Sequence, residues 1–223
     1  MTRIVDLSVK VAAGPNTLPP PAKRETHISQ YLMPGSIHWQ GSYIETTTHV
    51  GSHVDSPLHV LAGAPAIGHI ELERLIGEAV VIDLTPTEAN RAIDEHVLAP
   101  HEGKIRPGDI AILRTDWTDA AWGTASYWAE SPHLTGGGAL WLAAQRPKAV
   151  AFDFFEEYCA RFETFKAEEF VVHMTLLKDN DILLIENITN LGSLRQERVH
   201  LFAAPIKIVE AEGAPARVFA IES

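Results

Sequence analysis

Residues 45–60 read ETTTHVGSHVDSPLHV and set His49, Gly51, His53, Asp55, Pro57 and His59 at alternate positions. A helix would bring His49 and His53 onto one face, four residues apart. The local composition opposes a helix. Thr46, Thr47, Thr48, Val50 and Val54 are β-branched, Gly51 lies between the two histidines, and Pro57 would break the next turn. In an extended chain alternate side chains share a face, so His49, His53, Asp55 and His59 form one stripe of nitrogen and oxygen donors.

Distance then limits that stripe. Positions 53 and 55 stand about 6.6 Å apart in a strand, whereas 49 and 53 stand about 13 Å apart, a gap across which two imidazole arms barely meet. A bend is required. Gly51 can supply it through a bulge or a positive φ, and Pro57 ends ladder pairing and turns His59 toward the same place. The expectation is a bent edge segment at a cleft. Two imidazoles and a carboxylate suit Zn²⁺ or Mn²⁺ with coordination positions left for water. The competing reading, a solvated strand face, fits a lone histidine better than four ionisable groups at period two.

Outward from this stretch, RIVDLSV near the start alternates as a short strand does. The run AAGPNTLPPPAKRE holds four prolines and a glycine in fourteen residues and reads as a long loop of the lid or binding kind. IHWQGSYIETTTHV, from 37 to 50, reads as a long strand or hairpin. Further strands are expected at 79–84, 108–115, 148–153, 181–187, 200–211 and 216–222. GGGALWLAAQRP and KAEEFVVHMTLLKDN carry helical spacing, ending near Pro147 and Asn180, with Thr135 as N-cap of the first. Strands interleaved with helical segments give an α/β fold of mixed α+β character, with one domain over 1–223.

The chain has 223 residues, 46% hydrophobic and 21% charged, with a formal net charge of −11. That balance argues against a nucleic-acid or anionic-membrane partner, since both need a basic footprint. No apolar run is long enough for a membrane span and no cleavable leader is recognised, so a cytoplasmic location is expected. The lone Cys159 cannot make an internal disulfide and reads as a buried structural thiol.

HVGSHVDSPLH resembles the signature His-x-Gly-Thr-His-x-Asp-x-Pro-x-His of the metal-dependent cyclase-like hydrolases, which include arylformamidases (kynurenine formamidases) and isatin hydrolases. Ser52 replaces the usual Thr and keeps the hydroxyl. IVDLSV, IRPGDIAILRTDW, AVAFDFF and VVHMTLLKDNDILLIENITNL extend the likeness along nearly the whole chain.

The resemblance implies a swivelling β/β/α cyclase-like fold with a mixed sheet or partial barrel. It implies His49, His53 and Asp55 as metal ligands, with His173 and Glu186 completing a second position and Asp55 bridging, for one or two ions of Zn²⁺ or Mn²⁺. His59 is the general acid/base, with Glu186 sharing the proton traffic. The implied activity is hydrolysis of an amide or lactone carbonyl of a small molecule, such as N-formylkynurenine or isatin, by metal-activated water. A lyase or cyclase stabilising an enolate, or a metal-binding protein without turnover, are the alternatives. A homodimer or homotetramer is implied as well, with the N-terminal loop as a reasonable exchange element.

The N-terminal loop carries no aromatic residue before Tyr31 to stack on a substrate ring. Trp39, Tyr43, Trp117, Trp122, Tyr127 and Trp128 are the other candidates for a pocket lining, His133 is a weaker candidate for the site, and Lys23 and Arg24 could meet a substrate carboxylate.

Overall fold

A computed structural model of the chain describes residues 2–15 and 25–222. Ten strands carry the architecture: β1 (Arg3–Asp6), β2 (Glu25–Leu32), β3 (Gln40–Glu45), β4 (His53–Asp55), β5 (Ile76–Asp83), β6 (Ile110–Arg114), β7 (Ala149–Phe152), β8 (Leu183–Glu186), β9 (Arg198–Pro205) and β10 (Gly213–Glu222). Seven of them close on themselves in the order β10-β9-β5-β6-β7-β8-β4, with β4 pairing back onto β10. The result is a mixed barrel-like sheet, in keeping with a cyclase-like fold. β1 lies on the same edge of β10 as β4, further along it, through Arg3↔Glu222 to Asp6↔Phe219.

The parallel part, β5 to β8, is enclosed on both sides and its sequences are continuous apolar runs, as such strands require. Ile110, Ala111, Ile112, Leu113, Ala149, Val150, Ala151, Phe152, Leu183, Leu184 and Ile185 are all fully buried. Helix Gly136–Gln145 packs against this core through Ala139 and Leu142. It starts where Thr135 accepts a hydrogen bond from the Gly138 N–H at 3.1 Å, the expected N-cap.

Several boundaries differ from expectation for local reasons. β9 stops at Pro205 rather than 211, because proline removes a ladder donor. The 166–180 segment divides into a short turn at Ala167–Glu169 and a π-helical stretch at His173–Asp179. The strand foreseen over 37–50 is confined to β3, which pairs with β2 as an antiparallel arm, Leu32 opposite Gln40 and His27 opposite Glu45. The arm exposes Ile28, Tyr31, Leu32, Trp39, Tyr43 and Ile44. Most of the proline-rich loop, with Lys23 and Arg24, lies outside the described residues; Gly14–Pro15 pairs with the start of β2. No helix among the described residues is long and apolar enough to cross a membrane.

Candidate metal centre

β4 is three residues long and paired on both sides, to β8 and to β10, so it closes the barrel instead of forming the edge segment expected. The bends at its ends are the ones anticipated. Gly51 has φ +63°, which a side chain would strain, and a Cβ there would come within 2.7 Å of Val11. Pro57 opens a 3₁₀ turn ending at His59. The extended stripe is therefore broken: only His53 and Asp55 belong to the strand, while His49 stands on a turn before it and His59 on a turn after it.

Ser52 holds the first bend. Its hydroxyl donates to the Asn187 carbonyl at 2.7 Å and accepts from the Val9 N–H at 3.0 Å. Asn187 follows Glu186, and its amide reaches the Gly51 carbonyl at 3.2 Å while its own oxygen accepts from the Tyr127 hydroxyl at 2.6 Å. These bonds tie the motif to the end of β8, where Glu186 lies opposite His53 in the ladder.

All five expected ligands meet at this point. His49 Nδ1 is 2.9 Å from Asp55 Oδ1. His53 Nε2 is 3.5 Å from Asp55 Oδ1 and 3.4 Å from Glu186 Oε2. His173 Nε2 is 3.5 Å from Asp55 Oδ2 and 3.3 Å from Glu186 Oε1. Each carboxylate thus turns one oxygen toward His53 and the other toward His173. His59 lies between His49 and His173, its ring tilted against each at centroid distances of 4.4 Å and 5.5 Å, with its outer side open to solvent.

A cation fits this arrangement. His53 Nε2, both oxygens of Asp55 and Glu186 Oε1 are buried without a hydrogen-bond partner. Each such atom costs about 1–3 kcal/mol unsatisfied, a penalty that coordination removes. Among the described residues three compact donor sets exist: His49–Asp55–His59, His53–Asp55–Glu186 and Glu156–Glu157–His173. Nitrogen and carboxylate donors of this kind suit zinc, manganese or another divalent metal.

The nitrogens facing away from the centre are also held. His53 Nδ1 bonds the Gly51 carbonyl at 2.9 Å, His49 Nε2 bonds Glu212 Oε1 at 3.0 Å, and His173 Nδ1 bonds Glu157 Oε1 at 2.9 Å. Such outer acceptors fix ring orientation and tautomer. Glu157 and Glu212 were not foreseen from the sequence: they lie far from the motif along the chain, and only barrel closure brings Gly213 opposite Asp55.

The charges pull the titrations apart. Burial opposes a charged His49, but Asp55, Glu186 and Glu212 outweigh it and raise its pKa to about 9. Burial also opposes ionised Asp55, yet His49, His53 and His173 hold it well below the usual carboxylate range. For His173 the nearby carboxylates of Asp55, Glu157 and Glu186 overcome burial and raise the pKa. His59 moves the other way: desolvation of its inner side, with His173 and His49 nearby, outweighs Asp55 and Glu186 and lowers it. Behind the centre, burial and the neighbouring Glu186 keep the Glu156 carboxyl well above the usual range and so neutral.

The other candidates fall elsewhere. Tyr127 and Trp128 pack with Phe155 in a separate core cluster that Trp117 and Trp122 flank, and Tyr127 touches the centre only through its bond to Asn187. Trp39 and Tyr43 stand exposed on the arm. His133 stacks on Tyr158 at 4.6 Å, away from the ligands, and burial plus Arg161 lower its pKa to about 4. The aromatic ring that does reach the centre is Phe170, 5.5 Å from the His173 ring and 4.9 Å from Phe165. Cys159 is buried and its thiol is pushed up to about 12 by burial and by Glu157.

Fold and centre together define a mixed barrel with a candidate histidine–carboxylate metal site where the short strand β4 closes the ring. Residues 5–156 match the family model described as putative cyclase, and the chain belongs to that family. It is 27% identical over 220 residues to the kynurenine formamidase of Bordetella petrii, covering 97% of each chain. It is 26% identical to the isatin hydrolase of Roseibium aggregatum, covering 93% of this chain and 88% of that one. The solved structure of isatin hydrolase A from Labrenzia aggregata, bound to benzyl benzoate, superposes with a TM-score of 0.82 at 22% identity over 99% of this chain and 93% of the other.

Proposed function

We propose that this chain is a metal-dependent hydrolase that opens the carbonyl–nitrogen bond of a formyl anilide or isatin-type lactam, or the corresponding bond of a lactone. The observation that carries this reading is the division of the Asp55 and Glu186 oxygens between His53 and His173, with four of these buried donor atoms making ion-pair contacts but no hydrogen bond. The kynurenine formamidase and isatin hydrolase relatives support the reaction class.

His49, His53 and Asp55 would hold one divalent ion, Zn²⁺ or Mn²⁺, and His173 and Glu186 a second, with Asp55 shared. A divalent cation in such a site polarises a carbonyl oxygen and acidifies a water. The protein does the rest. His59, neutral near pH 7 and open to solvent, accepts a proton at a ring nitrogen and returns it to the leaving nitrogen or oxygen. Glu186 keeps its negative charge beside both histidine ligands and shares that proton traffic. Phe170 offers an apolar face for the substrate's ring.

The solvent access of His59 favours turnover over a closed structural metal centre. Assay of the metal-loaded protein against N-formylkynurenine, other formyl anilides, isatin and simple lactones tests the reading. Turnover that disappears with chelation and returns with metal supports it; metal uptake that leaves every substrate intact contradicts it. The reading includes a homodimer or homotetramer, supported by the exposed apolar side chains of the β2–β3 arm, which light scattering in solution would check.

A further inference from the structure

Of the candidate ligands, His49 has the least local support. His53 is locked into a strand paired on both sides, and His173 begins a buried helical stretch, whereas His49 sits on a turn ahead of a glycine in the left-handed region. Something outside the turn must orient its ring. Resting on the metal reading above, we propose that Glu212 is the positioning residue that presents His49 to the cation, and that residues 212–213 are a built part of the centre.

Three observations carry this. Glu212 Oε1 is 3.0 Å from His49 Nε2, the nitrogen opposite the one that lies 2.9 Å from Asp55. The same oxygen accepts from the Thr48 hydroxyl at 2.7 Å, so the carboxylate clamps two successive residues of the turn. The Glu212 backbone is itself anchored, its carbonyl accepting from the N–H and the hydroxyl of Ser56, both at 2.8 Å.

Gly213 makes the clamp sterically feasible. A Cβ at that position would lie 3.0 Å from the Val54 carbonyl oxygen, 3.1 Å from Asp55 Oδ1 and 3.2 Å from His49 Cε1, tighter than side chains ordinarily tolerate. A glycine lets β10 begin this close to the ligands without displacing them, and the residue before it then reaches His49. A carboxylate on the far nitrogen of a ligating histidine fixes its tautomer and strengthens it as a ligand. The corresponding partner of His173, Glu157, is fully buried; Glu212 is 38% exposed and holds the ligand nearest the surface.

The test is zinc affinity, measured by competition with a chromophoric chelator on purified wild type, E212A and E212Q, beside the melting temperature of each metal-free protein. Wild type takes up zinc, E212A binds it roughly 10–100-fold more weakly, and E212Q falls between because its amide oxygen still accepts the N–H without the charge. The metal-free melting temperatures of E212Q and wild type coincide. Zinc affinity in E212A and E212Q equal to that of wild type overturns the proposal while leaving the metal reading intact. A wild type that takes up neither zinc nor manganese overturns both.

Discussion

Glu186 stands directly across the antiparallel ladder from His53, and its two oxygens address two different histidines, His53 at 3.4 Å and His173 at 3.3 Å. The ladder fixes the first contact and the π-helical stretch carrying His173 fixes the second. Replacing Glu186 by Gln keeps the shape and removes the charge. Metal affinity is expected to fall further than the ~10–100-fold typical of outer partners, since a direct ligand is altered. Chelator competition measures it, and wild-type affinity would count against Glu186 as a ligand.

The proposed function makes His59 a proton-transfer group, although it also falls within a compact donor set with His49 and Asp55. Its ring lies tilted 4.4 Å from that of His49, but on its own turn after Pro57. His59→Ala is expected to retain bound metal while kcat falls by about 10²–10⁴-fold, the contribution of a positioned proton-transfer group. Metal content and kcat on the best substrate of the panel, taken from one preparation, decide it. Loss of the ion would make His59 a ligand instead.

Glu157 couples the centre to the fold. One buried oxygen accepts from the Val172 and His173 N–H groups and from His173 Nδ1. Glu157→Ala strands those donors and is expected to destabilise the protein by about 2 kcal/mol, lowering Tm by roughly 4–8 °C. Calorimetry on the metal-free protein checks this; an unchanged Tm would show that water replaces the carboxylate at no loss.

Cys159 is a buried thiol that the proposed chemistry does not use. Its pKa lies at about 12, above the ordinary thiol value, so the folded protein holds the neutral thiol, and not the reactive thiolate, throughout the range from pH 7 to 9. Iodoacetamide at pH 8 is expected to leave it unmodified in the native state and to modify it in urea, as mass spectrometry would register. Rapid native labelling would contradict the burial.

How much of this was legible in the chain follows from range. The motif could be read because its constraints are local: β-branched residues exclude a helix, period two aligns the donors, and Gly51 and Pro57 mark the bends. Apolar runs such as IAIL at 110–113 announced the parallel strands for the same reason. His173 and Glu186 carried no local ligand pattern and were reached only through the family resemblance. Glu157 and Glu212 gave no signal at all, since their partners lie 16 and 163 residues away in sequence. The placement of β4 within the barrel wall was missed because a three-residue strand says nothing about what pairs with it on either side.

The most direct measurement is elemental analysis of the protein purified near neutral pH without added metal, set beside Asp55→Ala prepared identically. Asp55 is common to two of the three donor sets. Wild type should carry at least one equivalent of a divalent transition metal and the variant close to none; a metal-free wild type that takes up no zinc or manganese on titration, or a variant with undiminished metal, would contradict the account.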